Sequence, residues 1–134
     1  MTMYPYLTEH QTFHIDGFIR QFIAKPRRER WLSIFRMKPD RWIGLSVWDL
    51  WDDRYVVSGR YERDAPSGAF AYEKYETHKV MVFRIGHDMG GVEEMTLHEA
   101  LEGRHAVLEG IISIVAGKLA VAINHDGGVC LCRA

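Results

Sequence analysis

Two histidine–aspartate pairs are the residues whose types and spacing could do chemistry. They are His87 with Asp88 and His125 with Asp126, and two glycines follow each pair closely. Each pair comes just after a predicted strand, so the two loops could meet at one end of a sheet and bind a divalent metal ion or share a proton. A tight turn explains the same residues, because Asp accepts backbone hydrogen bonds and Gly adopts positive φ. We therefore interpret both pairs as turns and keep the four side chains as weak candidate metal ligands.

The other histidines do not match the spacing of a known site. His98 precedes a glutamate as in a zinc-protease helix, but position 102 is not histidine. His10 and His14 are four residues apart, yet no helix is predicted before Asp16, so we interpret them as surface residues. The sequence contains no nucleophile elbow, phosphate-binding loop or dinucleotide-binding glycine motif. A Ser–His–Asp or Cys–His system would leave no such local signature. We predict no cofactor.

Residues 25–41 concentrate positive charge. Seven basic side chains stand there against Glu29 and Asp40, a net charge of +5 in a chain whose total is −1. Arginine suits phosphate or carboxylate because its planar fork donates two parallel hydrogen bonds. The alternative is the solvated face of two amphipathic helices. The basic residues are Lys25, Arg27, Arg28, Arg30, Arg36, Lys38 and Arg41.

All four tryptophans lie at or near this basic segment, at positions 31, 42, 48 and 51. Trp and Arg are the residues that most often dominate binding energy at interfaces. Trp31 and Trp42 are therefore candidate partner-binding residues, and either could stack on an exposed base. Trp31 also has the spacing of a helix core position, which is the other interpretation.

Hydrophobic periodicity predicts the elements that position these residues. Helices are expected at 16–24, with Asp16 as the cap, at 26–36, with Pro26 in the first turn, and at 43–51. In the third segment Ile43, Leu45 and Val47 also fit the alternation of a strand. Residues 55–57 are β-branched and aromatic and predict a strand, and residues 69–76 predict a short helix. Further on we expect a strand at 79–85, a loop at 86–91, a helix capped by Thr96 to about 102, and a three-strand meander at 111–115, 119–123 and 129–132.

Composition is that of a globular protein, with 134 residues, 47% hydrophobic and 26% charged. We expect one domain over 1–134, with a helical third at about 16–51 and a mixed remainder at 54–134. No secretory signal and no long apolar run is present, so neither export nor a membrane span is expected. Cys130 and Cys132 are two apart on one strand, a poor geometry for a disulfide, which favours free thiols and a cytoplasmic location.

Several stretches resemble a group of small, uncharacterised bacterial proteins. They are Pro-Arg-Arg-Glu-Arg-Trp at 26–31, an acidic turn at 49–55, and Leu-His-Glu-Ala-Leu-Glu at 97–102 followed by Gly-Lys-Leu-Ala at 117–120. Proteins of this group are built from N-terminal helices, a central strand and a C-terminal β meander. The resemblance implies the same arrangement here, and it implies no activity.

The sequence as a whole predicts an α+β protein, with N-terminal helices packed on a mixed or antiparallel sheet that ends in the meander. We expect it to act by binding another macromolecule through the Arg- and Trp-rich helical region, as an adaptor, inhibitor or antidote, with another protein as the partner. One alternative is nucleic-acid binding through the same basic cluster. The other is a metal-dependent hydrolase that uses the two His–Asp turns.

Overall fold

The computed structural model describes residues 4–42, 75, 77–85, 90–102, 109–123 and 129–134. The helices of this part of the chain are α1 (Glu9–Phe22), α2 (Arg28–Phe35) and α3 (Leu97–Glu102), with 3-10 turns at Lys25–Arg27 and Pro39–Arg41. The strands are β1 (Lys79–Ile85), β2 (Gly90–Thr96), β3 (Gly110–Val115), β4 (Leu119–Ile123) and β5 (Val129–Arg133). The predicted α+β class is confirmed. The predicted helix at 43–51, the strand at 55–57 and, apart from Tyr75, the helix at 69–76 lie outside the described residues.

The first helix begins earlier than predicted. Thr8 is its N-cap, since the Thr8 hydroxyl accepts the backbone N–H of Gln11 at 3.1 Å and the Gln11 side chain accepts the N–H of Thr8 at 2.9 Å. This capping box satisfies two backbone donors of the first turn. The prediction of a cap at Asp16 was wrong, because Asp16 lies inside α1. Its carboxylate instead accepts hydrogen bonds from Tyr4 and Arg20.

The predicted second helix at 26–36 is confirmed, with its start tightened into a 3-10 turn. Pro26 lies in that turn, where its fixed φ suits helix initiation and its missing N–H costs nothing. Helix α2 then buries Trp31, Leu32 and Phe35 on one stripe. Its other side is exposed to solvent.

The strands form an antiparallel sheet in the order β2-β1-β3-β4-β5. The predicted hairpin at its centre is confirmed, because Ile111 pairs with Ala122 and Ile112 pairs with Val121. Gly117 turns the chain between the two strands with φ +69°, a conformation that favours glycine. The prediction of a loop through Gly91 was wrong at its end, because Gly90 and Gly91 begin β2 and pair with β1.

Both faces of the central strands are buried. Helices α1 and α2 cover one face, where Phe18, Phe35 and Phe83 belong to one apolar cluster. A second cluster on the opposite face includes Ile112 and Leu97, the first residue of α3. The predicted cap of α3 is confirmed, since the Thr96 hydroxyl accepts the N–H of Glu99 and donates to its carboxylate. Within the described ranges no helix is long and apolar enough to cross a membrane.

Candidate interaction surface

The basic cluster lies on α2 and on the two 3-10 turns that flank it. Six of its seven cationic side chains are exposed, and we call these six the basic surface. Arg30 has this exposure because the buried stripe of α2 points Trp31 inward, which leaves the opposite side of the helix to solvent. The other five cations lie before or after α2. The basic surface comprises Lys25, Arg27, Arg30, Arg36, Lys38 and Arg41.

Arg28, the seventh cation of the cluster, has a structural contact. Its Nε donates to the carbonyl oxygen of Ile23, the residue that ends α1, at 2.9 Å. Charged side chains that satisfy the last carbonyls of a helix stabilise its end. Arg28 therefore ties α2 to α1, in addition to any role at the surface.

Trp31 and Trp42 are buried, so the core interpretation of Trp31 is confirmed and the candidacy of both as partner contacts is corrected. Both are 0% exposed. The Trp31 ring packs on Phe35 at 5.9 Å between centroids, and the Trp42 ring packs on Phe35 at 4.7 Å and on Phe83 at 6.1 Å. Trp42 also donates from Nε1 to the carbonyl oxygen of Met37 at 3.0 Å. The two indoles belong to the apolar core beneath the basic surface, and neither can stack on a partner.

Within the described part of the chain, Tyr6 is an exposed aromatic beside the basic surface, and sequence reasoning missed it. Tyr6 is 52% exposed, and the Nζ of Lys38 lies 5.9 Å from the centroid of its ring. The neighbouring Met37 is 41% exposed. The sequence gives one weak indication of an exposed Tyr6, its position between the apolar residues Tyr4 and Leu7. In the structure these two residues pack on the core.

The segment that carries Tyr6 is anchored at its beginning. The hydroxyl of Tyr4 donates to Oδ1 of Asp16 at 2.8 Å, and the same carboxylate accepts two bonds from Nε of Arg20, at 2.9 and 3.0 Å. Burial and the Asp16 carboxylate raise the pKa of Tyr4 well above its ordinary value, while the positive charges of Arg20 and Arg36 oppose that rise. The start of this segment is therefore held to α1 through Asp16.

A second polar cluster joins α1 to the sheet and corrects the interpretation of His14 as a surface residue, whereas His10 is exposed as predicted. His14 is buried in α1, and its Nδ1 shares a hydrogen bond of 2.6 Å with Oγ of buried Ser113 on β3. The exposed His10 ring lies 4.8 Å from that of His14, and its Nε2 lies 3.5 Å from Oε2 of Glu94 on β2. Among the described residues no group of three or more His, Cys, Asp or Glu could hold a metal ion.

The pKa of His14 makes the stability of the fold depend on pH. Burial lowers this pKa below 6.5, His10 and His78 lower it further, and Glu94 opposes them. The unfolded chain therefore binds a proton at His14 more readily than the folded chain. The free energy of unfolding is expected to fall as the pH drops below 6.5, with no loss from this residue above that value.

Denaturant titrations at a series of pH values check this expectation. His14→Asn, whose amide can still reach Ser113, should flatten the dependence of stability on pH in the acid range. His98→Gln is the matched control, because His98 is exposed on α3 and is not among the groups that shift the pKa of His14. An unchanged pH dependence in His14→Asn would rule out the assignment to His14.

The weak candidate ligands His87, Asp88, His125 and Asp126 lie outside the described residues. The strands that precede them, β1 and β4, both pair antiparallel with β3 and so run in the same direction. Their last residues, Ile85 and Ile123, are at the same end of the sheet.

Cys130 and Cys132 are buried free thiols on β5, as predicted. Their burial favours a packing role for both side chains.

Comparisons with known proteins add no family to this description. No family model matches the sequence, and neither the curated proteins nor the solved structures yield a significant match.

Proposed function

We propose that this chain binds an acidic protein partner through the basic surface and acts as an adaptor, inhibitor or antidote. The observation that supports the proposal is the exposure of six cations on a backbone that buried Trp31 and Trp42 hold in place. A backbone that is already ordered loses little entropy on association. Guanidinium groups on it can each bind a carboxylate through two parallel hydrogen bonds.

One feature favours a protein over a nucleic acid as the partner. Trp31 and Trp42, which could have stacked on bases, are buried. A nucleic acid held by about six phosphate contacts would lose roughly a thousandfold in affinity between about 50 and 200 mM salt. A protein interface with a buried apolar centre should weaken much less.

The double variant Arg27→Glu/Arg36→Glu tests the proposal. Both side chains are exposed, so each change should alter the free energy of unfolding by no more than about 0.5 kcal/mol. Arg28 is left in place because it bonds to Ile23. We expect capture of the protein partner from a cell extract to fall by at least about tenfold, since opposite charges at an interface become like charges.

The control is Lys79→Glu/Lys118→Glu, which makes the same change of net charge at exposed positions on β1 and in the β3–β4 turn. Circular dichroism and thermal unfolding verify that both variants are folded. A protein captured by the wild type and the control, and lost by the test variant, supports the proposal. Equal capture of the protein by both variants contradicts it. Steeply salt-dependent capture of nucleic acid would show that the partner is a nucleic acid and not a protein.

A further inference from the structure

The described residues leave only three large apolar side chains exposed, and two of them lie beside the basic surface. These three are Tyr6, Phe13 and Met37. Lys38 links two of them, since its Nζ lies 5.9 Å from the Tyr6 ring centroid and Met37 precedes it in the chain. Phe13 lies on the outer side of α1, in the neighbourhood of His10. Tyr6 in space and Met37 in the chain are therefore exposed apolar neighbours of Lys38, and we call these two side chains the Tyr6 patch.

Tyr6 is presented by a backbone that is already ordered. The buried Tyr4 is bonded to Asp16, and the carbonyl oxygen of Tyr4 accepts the N–H of Leu7 at 3.1 Å, which closes a turn around Tyr6. Leu7 packs on the core, and Thr8 then caps α1. A partner that covers the ring would not have to order this backbone, so little of the binding energy would be lost to entropy.

The charges around the Tyr6 patch define the chemistry of what could cover it. Lys38 lies over the ring, and Arg36, two residues before it in the chain, is exposed at the end of α2. Arg41 is exposed in the following 3-10 turn. Tyrosine is among the residues most often found at the energetic centre of interfaces, and charged rims favour partners of opposite sign.

We infer that the Tyr6 patch is the apolar centre of the interface, and that the partner segment carries an apolar side chain flanked by carboxylates. The apolar side chain packs on Tyr6 and Met37, and the carboxylates bind Lys38 and Arg36. This inference rests on the proposed function, which it deepens by naming the chemistry of the segment. Charge complementarity favours an acidic segment. The described charged residues that neighbour the patch, at the end of α2 and in the 3-10 turn that follows it, are mainly cations.

Three defined probes test the inference on the full chain. They are poly-L-glutamate, which offers carboxylates alone, a glutamate–tyrosine copolymer, which adds apolar rings, and a single-stranded oligothymidylate, which offers phosphates and bases. We expect the wild type to bind the copolymer more tightly than poly-L-glutamate. Tyr6→Ser should weaken binding to the copolymer by at least about tenfold, whereas Tyr6→Phe should retain it. Binding to poly-L-glutamate should be nearly the same in all three proteins.

Phe13→Ser is the matched control, because Phe13 is 66% exposed and lies on α1 rather than beside Lys38. Equal loss in Phe13→Ser and Tyr6→Ser, or no loss in Tyr6→Ser, overturns the inference. If Arg27→Glu/Arg36→Glu binds both polymers as well as the wild type does, the proposed function fails too. If that variant loses binding while Tyr6→Ser does not, only the inference fails. Tighter binding of oligothymidylate than of the copolymer, with loss in Tyr6→Ser, would overturn the acidic segment in favour of a nucleic acid.

Discussion

Replacing Trp31 with alanine is expected to lower the free energy of unfolding by about 3–5 kcal/mol. Trp31 is 0% exposed and packs between Phe18 at 6.0 Å and Phe35 at 5.9 Å, so its loss leaves a cavity at the contact between α1 and α2. A loss of that size approaches the total stability of a domain, which is about 5–15 kcal/mol. Denaturant titration measures it. A loss of less than about 1 kcal/mol would indicate a surface residue.

The two tryptophans also allow a matched comparison. Nε1 of Trp31 has no hydrogen-bond partner in the described part of the chain, whereas Nε1 of Trp42 donates to the carbonyl oxygen of Met37 at 3.0 Å. Trp31→Phe and Trp42→Phe remove the same atoms from fully buried sites, but only the second breaks a hydrogen bond. Trp42→Phe should therefore be less stable than Trp31→Phe by about 0.5–1.5 kcal/mol. The reverse order would contradict these assignments.

Replacing Gly90 with alanine is expected to cost about 1–3 kcal/mol of stability. A Cβ added at this position would overlap the carbonyl oxygen of Pro39 and lie 3.0 Å from Cβ of Trp42. The obstacle is backbone, so the second 3-10 turn would have to move. Because that turn carries Arg41, the substitution should also weaken binding through the basic surface.

Gly91→Ala is the control for Gly90→Ala. The two glycines are adjacent on β2, but a Cβ at Gly91 would meet no atom within 4 Å. Alanine restricts the unfolded chain more than glycine does, so Gly91→Ala should leave stability unchanged or raise it by up to about 1 kcal/mol. Similar destabilisation by both substitutions would mean that the strand tolerates no side chain there, and that contact with the turn is not the cause.

Elements with a strong local signal were predicted correctly from the sequence. Strand β1 has the predicted bounds, 79–85, because a run of β-branched and aromatic residues favours a buried strand over its whole length. The β3–β4 hairpin follows from Gly117, and α3 follows from the capping box of Thr96 and Glu99. Each of these signals acts between residues close in the chain, so no distant partner is needed to recognise it.

Two errors show where local signals were weaker. The start of α1 was misplaced because Asp16 is a good cap in isolation, although Thr8 and Gln11 form the capping box that begins the helix. Strand β2 was missed because it contains two glycines and two glutamates, a composition usual in loops. Charged residues are also usual in edge strands, and pairing with β1 makes this segment a strand.

The sequence by itself determined the α+β class, the hairpin and the concentration of positive charge at residues 25–41, because composition and spacing act locally. Only the tertiary structure decided which of these side chains face solvent. It placed Trp42 inside, left Tyr6 outside, and brought His14 to Ser113, a residue 99 positions away. Burial depends on what packs against a residue from distant parts of the chain, and the spacing of neighbours does not contain that information.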